Sequence, residues 1–164
     1  MQEVSAQGWL TLGFLLVLVF AVGWFGSFVT LPKIPTWYAG LTKPSFTPPP
    51  WVFGPAWSLL YLLMAIAAWR AWLLPEDPSR DAALLWFAVQ LAVNAAWSPV
   101  FFGMERPDWA LAVITALLIF LSITVIQFFK LDPVAGWMLV PYLAWVIFAT
   151  VLNIAIVTLN RSPR

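Results

Sequence analysis

The chain has 164 residues, of which 63% are hydrophobic and 9% charged, with a net charge of +1. Soluble domains carry about 25% charged residues, and a surface this poor in charge is ill suited to water. Lipid is the solvent that fits, one all-α membrane domain over 1–164 fills the length, and the near-neutral balance speaks against a nucleic-acid partner.

A helix needs about 20 residues to cross the hydrocarbon core. The charges are clustered, and the uncharged gaps between them measure 29 residues (4–32), 26 (44–69), 23 (82–104), 21 (109–129) and 28 (133–160). Each gap holds one crossing and none holds two. The predicted spans are therefore 9–31, 55–74, 82–103, 109–129 and 134–159. Transmembrane strands would alternate apolar and polar residues, and these runs do not. The prediction is a polytopic bundle of five transmembrane helices.

Ahead of the first span, MQEVSAQG lacks the basic residues of a signal peptide, so that span is read as a retained helix. The first connection, 32–50 (PKIPTWYAGLTKPSFTPPP), holds six of the 14 prolines and cannot be regular helix. Trp37, Tyr38 and Phe46 within it favour a packed lid over a floppy linker. The first loop, third loop and C-terminal tail carry Lys33, Lys43, Arg106, Arg161 and Arg164, against Arg70, Arg80 and Lys130 on the other side. The richer side is expected in the cytoplasm and the N-terminus outside.

Polar residues within spans are costly unless paired, and so are informative. In the third span Gln90 and Asn94 share one face, which Trp97 and Phe101 extend. On the opposite face Ala88, Ala92 and Ala96 recur every four residues. Such a stripe lets helix backbones approach closely, either within the bundle or against a second copy of the chain. In the fifth span Tyr142, Trp145, Ala149 and Leu152 fall in one narrow sector and form a candidate pocket wall. Asn153 nearby is read first as one side of an interhelical hydrogen bond.

Of the 12 tryptophans, Trp9, Trp72, Trp109 and Trp137 lie near span ends, where an interfacial belt accounts for them. Trp57, Trp97 and Trp145 lie deeper, and Trp51 stands where the Pro-rich loop enters the second helix. Flat indoles with one N–H donor suit a large planar apolar ligand; core packing is the alternative for Trp57. Cysteine and histidine are absent, which removes disulfides, thiol chemistry, the commonest metal ligand and the commonest base near neutral pH. Glu76, Asp77, Asp81, Glu105, Asp108 and Asp132 are read as loop residues, which argues against ion-coupled transport and acid–base hydrolysis.

The run WYAGLTKPSFTPPPWVFGPAWSLLY (37–61) resembles the first loop and second helix of the tryptophan-rich sensory protein (TspO/MBR) family. Mitochondrial members of that family are called translocator protein or peripheral benzodiazepine receptor. QLAVNAAWSPVFFGM (90–104) and VPYLAWVIFATVLN (140–153) resemble it too, in the same order along the chain. The resemblance implies five helices, often a homodimer, and a pocket under the first loop for porphyrins and certain synthetic aromatic amides. By position the family's pocket residues fall on Tyr38, Trp51, Asn94, Trp145 and Ala149. Two departures stand out. Ile154 replaces the tyrosine of the sterol-linked Leu/Val–Tyr–Lys/Arg pattern, itself a loose motif. Thr47 and Pro50 stand where the family often has histidine, so imidazole ligation of heme iron is not available.

The expected function is a membrane receptor or carrier for porphyrins (protoporphyrin IX or heme) and related aromatic ligands, with a sensory or regulatory role and no required cofactor. Ligand contacts are expected from Tyr38, Trp51, Asn94, Trp97, Tyr142, Trp145 and Ala149, and homodimer contacts from Ala88, Ala92 and Ala96. A second reading is a light-dependent porphyrin-degrading enzyme in which Trp51 and Trp145 donate electrons to the photoexcited ligand. A third is a sterol- or lipid-binding membrane protein. A bacterial membrane is expected rather than the mitochondrial outer membrane.

Overall fold

The computed structural model describes residues 4–161; Arg164, counted above in the charge asymmetry, lies outside them. Five helices follow one another: α1 (Ala6–Thr30), α2 (Pro50–Trp72), α3 (Pro78–Ser98), α4 (Pro107–Leu131) and α5 (Pro133–Leu159). Each is long and apolar enough to cross a membrane, and no strand occurs among the described residues.

The spans read from charge gaps are right in number and order, but all five helices start earlier than expected, the first at Ala6 rather than 9. Each of α2–α5 begins on a proline: Pro50, Pro78, Pro107 and Pro133. A proline at the first helical position loses nothing, because that N–H would have no partner, and its fixed φ is already helical. The second helix therefore starts at Pro50 rather than 55, taking Trp51 into its first turn. Asp77 and Asp132 cap α3 and α5 by accepting backbone N–H bonds from Ser79, Arg80 and Val134.

Around the bundle the helices neighbour one another in the order α1, α2, α5, α4, α3, and α3 closes back onto α1. At the end that holds the start of α1 and the end of α2, the interior is built from small residues. Ala67, Ala68, Ala71, Ala83 and Ala135 are fully buried and let the helix axes approach. Phe87, Phe128 and Leu139 fill the space between them. Here Arg70 Nε donates to Asp132 Oδ2 at 2.7 Å, tying α2 to the head of α5.

At the other end α3 does not stop cleanly. Pro99–Gly103 continues it as one wide π turn, closed by the Met104 N–H donating to the Pro99 carbonyl at 2.8 Å. The turn aims Phe101 and Phe102 inward, where both are buried. Glu105 follows with φ 55°, in the left-handed region that costs a side-chain-bearing residue roughly 1–2 kcal/mol.

Candidate ligand-binding site

Below the first connection, the bundle holds a cavity of about 720 Å³. Small-molecule sites usually occupy roughly 300–1,000 Å³. Its walls come from all five helices, with Ile114 and Leu117 the contribution of α4, and its roof from the connection. Large rings at facing positions hold the helices apart here, where alanines let them close at the other end.

The aromatic wall is continuous. Trp57 stacks on Tyr61 (centroids 5.3 Å, planes 27° apart) and meets Trp145 edge-on at 6.5 Å. Trp145 in turn meets Phe53 edge-on at 5.8 Å. From α3, Trp97 stacks on Phe101 at 4.9 Å, and both line the cavity. These offset and edge-to-face geometries are the preferred ones for ring quadrupoles, so the panel is held by its own contacts. Tyr61 comes this close to α1 only because residue 23 is glycine: a Cβ there would sit 2.5 Å from the Tyr61 ring.

One polar thread enters the apolar wall. The Tyr61 hydroxyl donates to Asn94 Oδ1 (3.2 Å), Asn94 Nδ2 donates to the Tyr142 oxygen (2.7 Å), and the Tyr142 hydroxyl donates to Gln90 Oε1 (3.1 Å). All four side chains are buried. The chain runs from the cavity surface at Tyr61 and Asn94 into the bundle centre. There it ends on Gln90 Nε2, which has no partner among the described residues. An unpaired buried donor is costly, and Gln90 is the one break in an otherwise satisfied network. A second thread links Trp97 Nε1 to Asn153 Oδ1 (3.3 Å), while Asn153 Nδ2 donates to the Pro107 carbonyl (2.9 Å). Asn153 thus makes the interhelical bonds expected of it.

The roof is fastened at three places. Lys33 Nζ pairs with Glu105 Oε1 at 2.7 Å, joining the start of the connection to the turn after α3. Trp37 and Tyr38 pack their rings on Phe101 and Phe102. Asn160 clips the strand-like part of the connection from both sides: its Oδ1 accepts the Thr42 N–H (2.9 Å) and its Nδ2 donates to the Thr42 carbonyl (2.8 Å). Burial pushes the Tyr38 phenol above its ordinary pKa, so it faces the cavity as a neutral hydroxyl.

Six of the seven residues expected to touch a ligand line this cavity: Tyr38, Trp51, Asn94, Trp97, Trp145 and Ala149. Tyr142 does not. It is fully buried behind the wall, where it holds Asn94 rather than facing the space. Angular spacing within α5 cannot say which ring stands in front, and Trp57 of α2 lies against Tyr142 at 6.1 Å. Trp51 stands at the mouth, 74% exposed, rather than deep in the wall. Trp57, open above between ligand wall and core packing, lines the cavity as well, and so do Tyr61 and Lys43, which are not among the expected contacts. The four-residue step from Trp57 to Tyr61, which puts both on one helix face, is the available signal for Tyr61. Ala88, Ala92 and Ala96 lie exposed on the outer face of α3, away from the site.

The sequence model of the TspO/MBR family matches residues 14–159. The chain is 44% identical over 149 residues to the tryptophan-rich protein TspO of Archaeoglobus fulgidus, covering 88% of this chain and 94% of that one. It is 45% identical over 130 residues to the tryptophan-rich sensory protein of Cereibacter sphaeroides (79% and 80% covered). It is 38% identical over 130 residues to the human translocator protein (78% and 77% covered).

Proposed function

The chain belongs to the TspO/MBR family of multi-pass integral membrane proteins, and from that premise we propose that it is a membrane receptor or carrier for porphyrins and related flat aromatic ligands, with a sensory role. The observation that carries the reading is the cavity itself. A planar macrocycle needs large apolar surfaces to lie against, and the rings of Trp57, Trp97 and Trp145, all lining the cavity, supply them. It also needs few but definite polar partners, and the buried Asn94 amide, already oriented by Tyr61 and Tyr142, supplies one. The names of two relatives, a sensory protein and a translocator protein, point the same way. The same reading makes the protein a homodimer through the exposed alanine stripe of α3, whose small side chains allow close backbone contact.

The test is a spectral titration of the purified protein with protoporphyrin IX and with heme, in the dark. Saturable binding at one site per chain, with quenching of tryptophan fluorescence, is expected; unsaturable partitioning equal to that of empty nanodiscs would refute the reading. Illumination addresses a second reading, in which the protein degrades the porphyrin. It is favoured by the run of oxidisable rings Trp145, Trp57 and Tyr61 in mutual contact at the cavity wall. Loss of porphyrin absorbance in light, abolished by Trp145→Phe or Trp51→Phe, would support it. Stable binding without loss would leave the receptor.

A further inference from the structure

We propose that Lys43 is an anion anchor, and that the site selects amphiphiles carrying a carboxylate at one edge of a flat apolar body. The inference rests on the receptor reading above and narrows its ligand class. Among the residues that line the cavity, Lys43 alone carries a charge. Among the described residues it takes part in none of the ion pairs, whereas Lys33, Arg70, Arg80 and Arg106 each have a carboxylate. Its ammonium lies 4.8 Å from the Tyr38 ring centroid and donates to the carbonyls of Leu41 (3.0 Å) and Ala39 (3.3 Å). An ammonium has three N–H donors, so one remains for a ligand.

The position is built rather than incidental. Thr42, the preceding residue, is the one that Asn160 grips from both sides, so the backbone bearing Lys43 is pinned to the end of α5. The two carbonyls and the Tyr38 face then hold the side chain over the rim. A cation fixed at the edge of an apolar cavity gains little from a neutral guest. It gains a charge-assisted hydrogen bond from an acid, about twice as strong as a neutral one. The opposite pole of the cavity ends on the neutral Asn94 and Tyr61. The site is therefore polarised: acid at the roof, apolar plane against the indoles, neutral edge at the bottom.

The experiment compares protoporphyrin IX with its dimethyl ester, which has the same ring and no acid, in nanodiscs of zwitterionic lipid. Wild type, Lys43→Gln and Lys43→Arg are titrated with each in the dark. We expect wild type to bind the acid about tenfold more tightly than the ester. Lys43→Gln should erase that difference by weakening the acid alone, and Lys43→Arg should keep most of it. Equal binding of acid and ester by wild type would overturn the anchor while leaving the receptor reading intact. So would Lys43→Gln weakening both ligands alike, the mark of a lysine that only caps the Ala39 and Leu41 carbonyls. Binding of neither ligand to wild type would overturn the receptor reading and the anchor with it.

Discussion

The two ends of this bundle are made from the same five helices and differ chiefly in side-chain size. At the end beside Arg70 and Asp132, α2 presents Ala67, Ala68 and Ala71, α3 presents Ala83 and α5 presents Ala135, all without exposed surface. Backbones meet, and a few large side chains such as Phe128 seal what remains. At the end beneath the first connection, the facing positions are Phe53, Trp57, Trp97, Phe101 and Trp145. Rings this wide cannot interdigitate as alanines do, so they brace one another edge-to-face and leave a space between panels. Lipid makes the contrast sharper than water would. Apolar burial alone does not favour helix association when the solvent is itself apolar, so contact is decided by fit. The closed end is where fit is good. The open end stays accessible because its fit is left incomplete.

The largest effect expected from this contrast is on stability at the closed end. Phe128→Ala removes a fully buried ring packed on Phe87. It should cost about 3 kcal/mol, the lower end of the range for soluble cores, because the lost packing is not accompanied by much loss of water exclusion. Thermal unfolding in detergent measures it, and porphyrin affinity of the folded variant should be unchanged. A variant that loses affinity as strongly as stability would show that the ends are coupled and that the comparison is false.

The outer face of α3 gives the next effect. Ala92→Leu puts bulk on a stripe that is exposed in the single chain. It should leave the monomer fold intact and weaken self-association by about 1–3 kcal/mol, by analogy with overpacking in cores. Subunit exchange or cross-linking at low protein concentration reads this directly. A dimer of undiminished affinity would mean that the stripe meets lipid rather than a second copy.

At the open end the same size of change should act on binding and spare stability. Trp51 is 74% exposed and has little packing to lose, and Ala149 borders empty space. Trp51→Phe and Ala149→Phe should each weaken porphyrin binding about tenfold, equivalent to ~1.4 kcal/mol. Thermal stability of the ligand-free protein should hardly move. Affinity falling only in step with stability would make both residues structural and place the ligand elsewhere.

How much of this was legible in the sequence depends on the kind of information each feature needs. The five helices follow from charge-free length, a one-dimensional property, and so they survive intact. Their starts do not, because proline, which breaks a helix interior, serves at position 50 as a first residue. Asn94, Trp97, Trp145 and Ala149 could be placed on inward faces by angular spacing within a single helix. Whether a side chain stands in front of the wall or behind it depends on a second helix: Tyr142 lies behind Trp57, whereas Tyr61, to which the sequence assigns nothing, reaches the cavity surface. In the sequence Lys43 is only one of the charges that set topology. Its place over the cavity depends on the Thr42–Asn160 clip across 118 residues, which no local pattern carries.

The smallest effect tests whether charge contributes anything at the closed end beyond packing. Burial pushes the Asp132 carboxyl up in pKa, but the hydrogen bond from Arg70, the Val134 N–H and the Arg70 charge pull it down, and the balance lies below the ordinary 3.8. A carboxyl whose pKa is lower when folded contributes stability that is present above its unfolded pKa and is lost as pH falls through its folded one. Asp132→Asn isolates that contribution, because asparagine keeps an oxygen to cap α5 and removes only the charge. At neutral pH the variant should be less stable by at most about 1 kcal/mol, as expected for a partly exposed ion pair. The gap between the two proteins should close once pH falls well below 3.8, where the wild-type carboxyl takes up its proton. Thermal unfolding of both along an acid series measures the gap. A gap that persists at low pH would be steric in origin, and no gap at neutral pH would mean that the alanine and phenylalanine packing holds this end without help from Arg70.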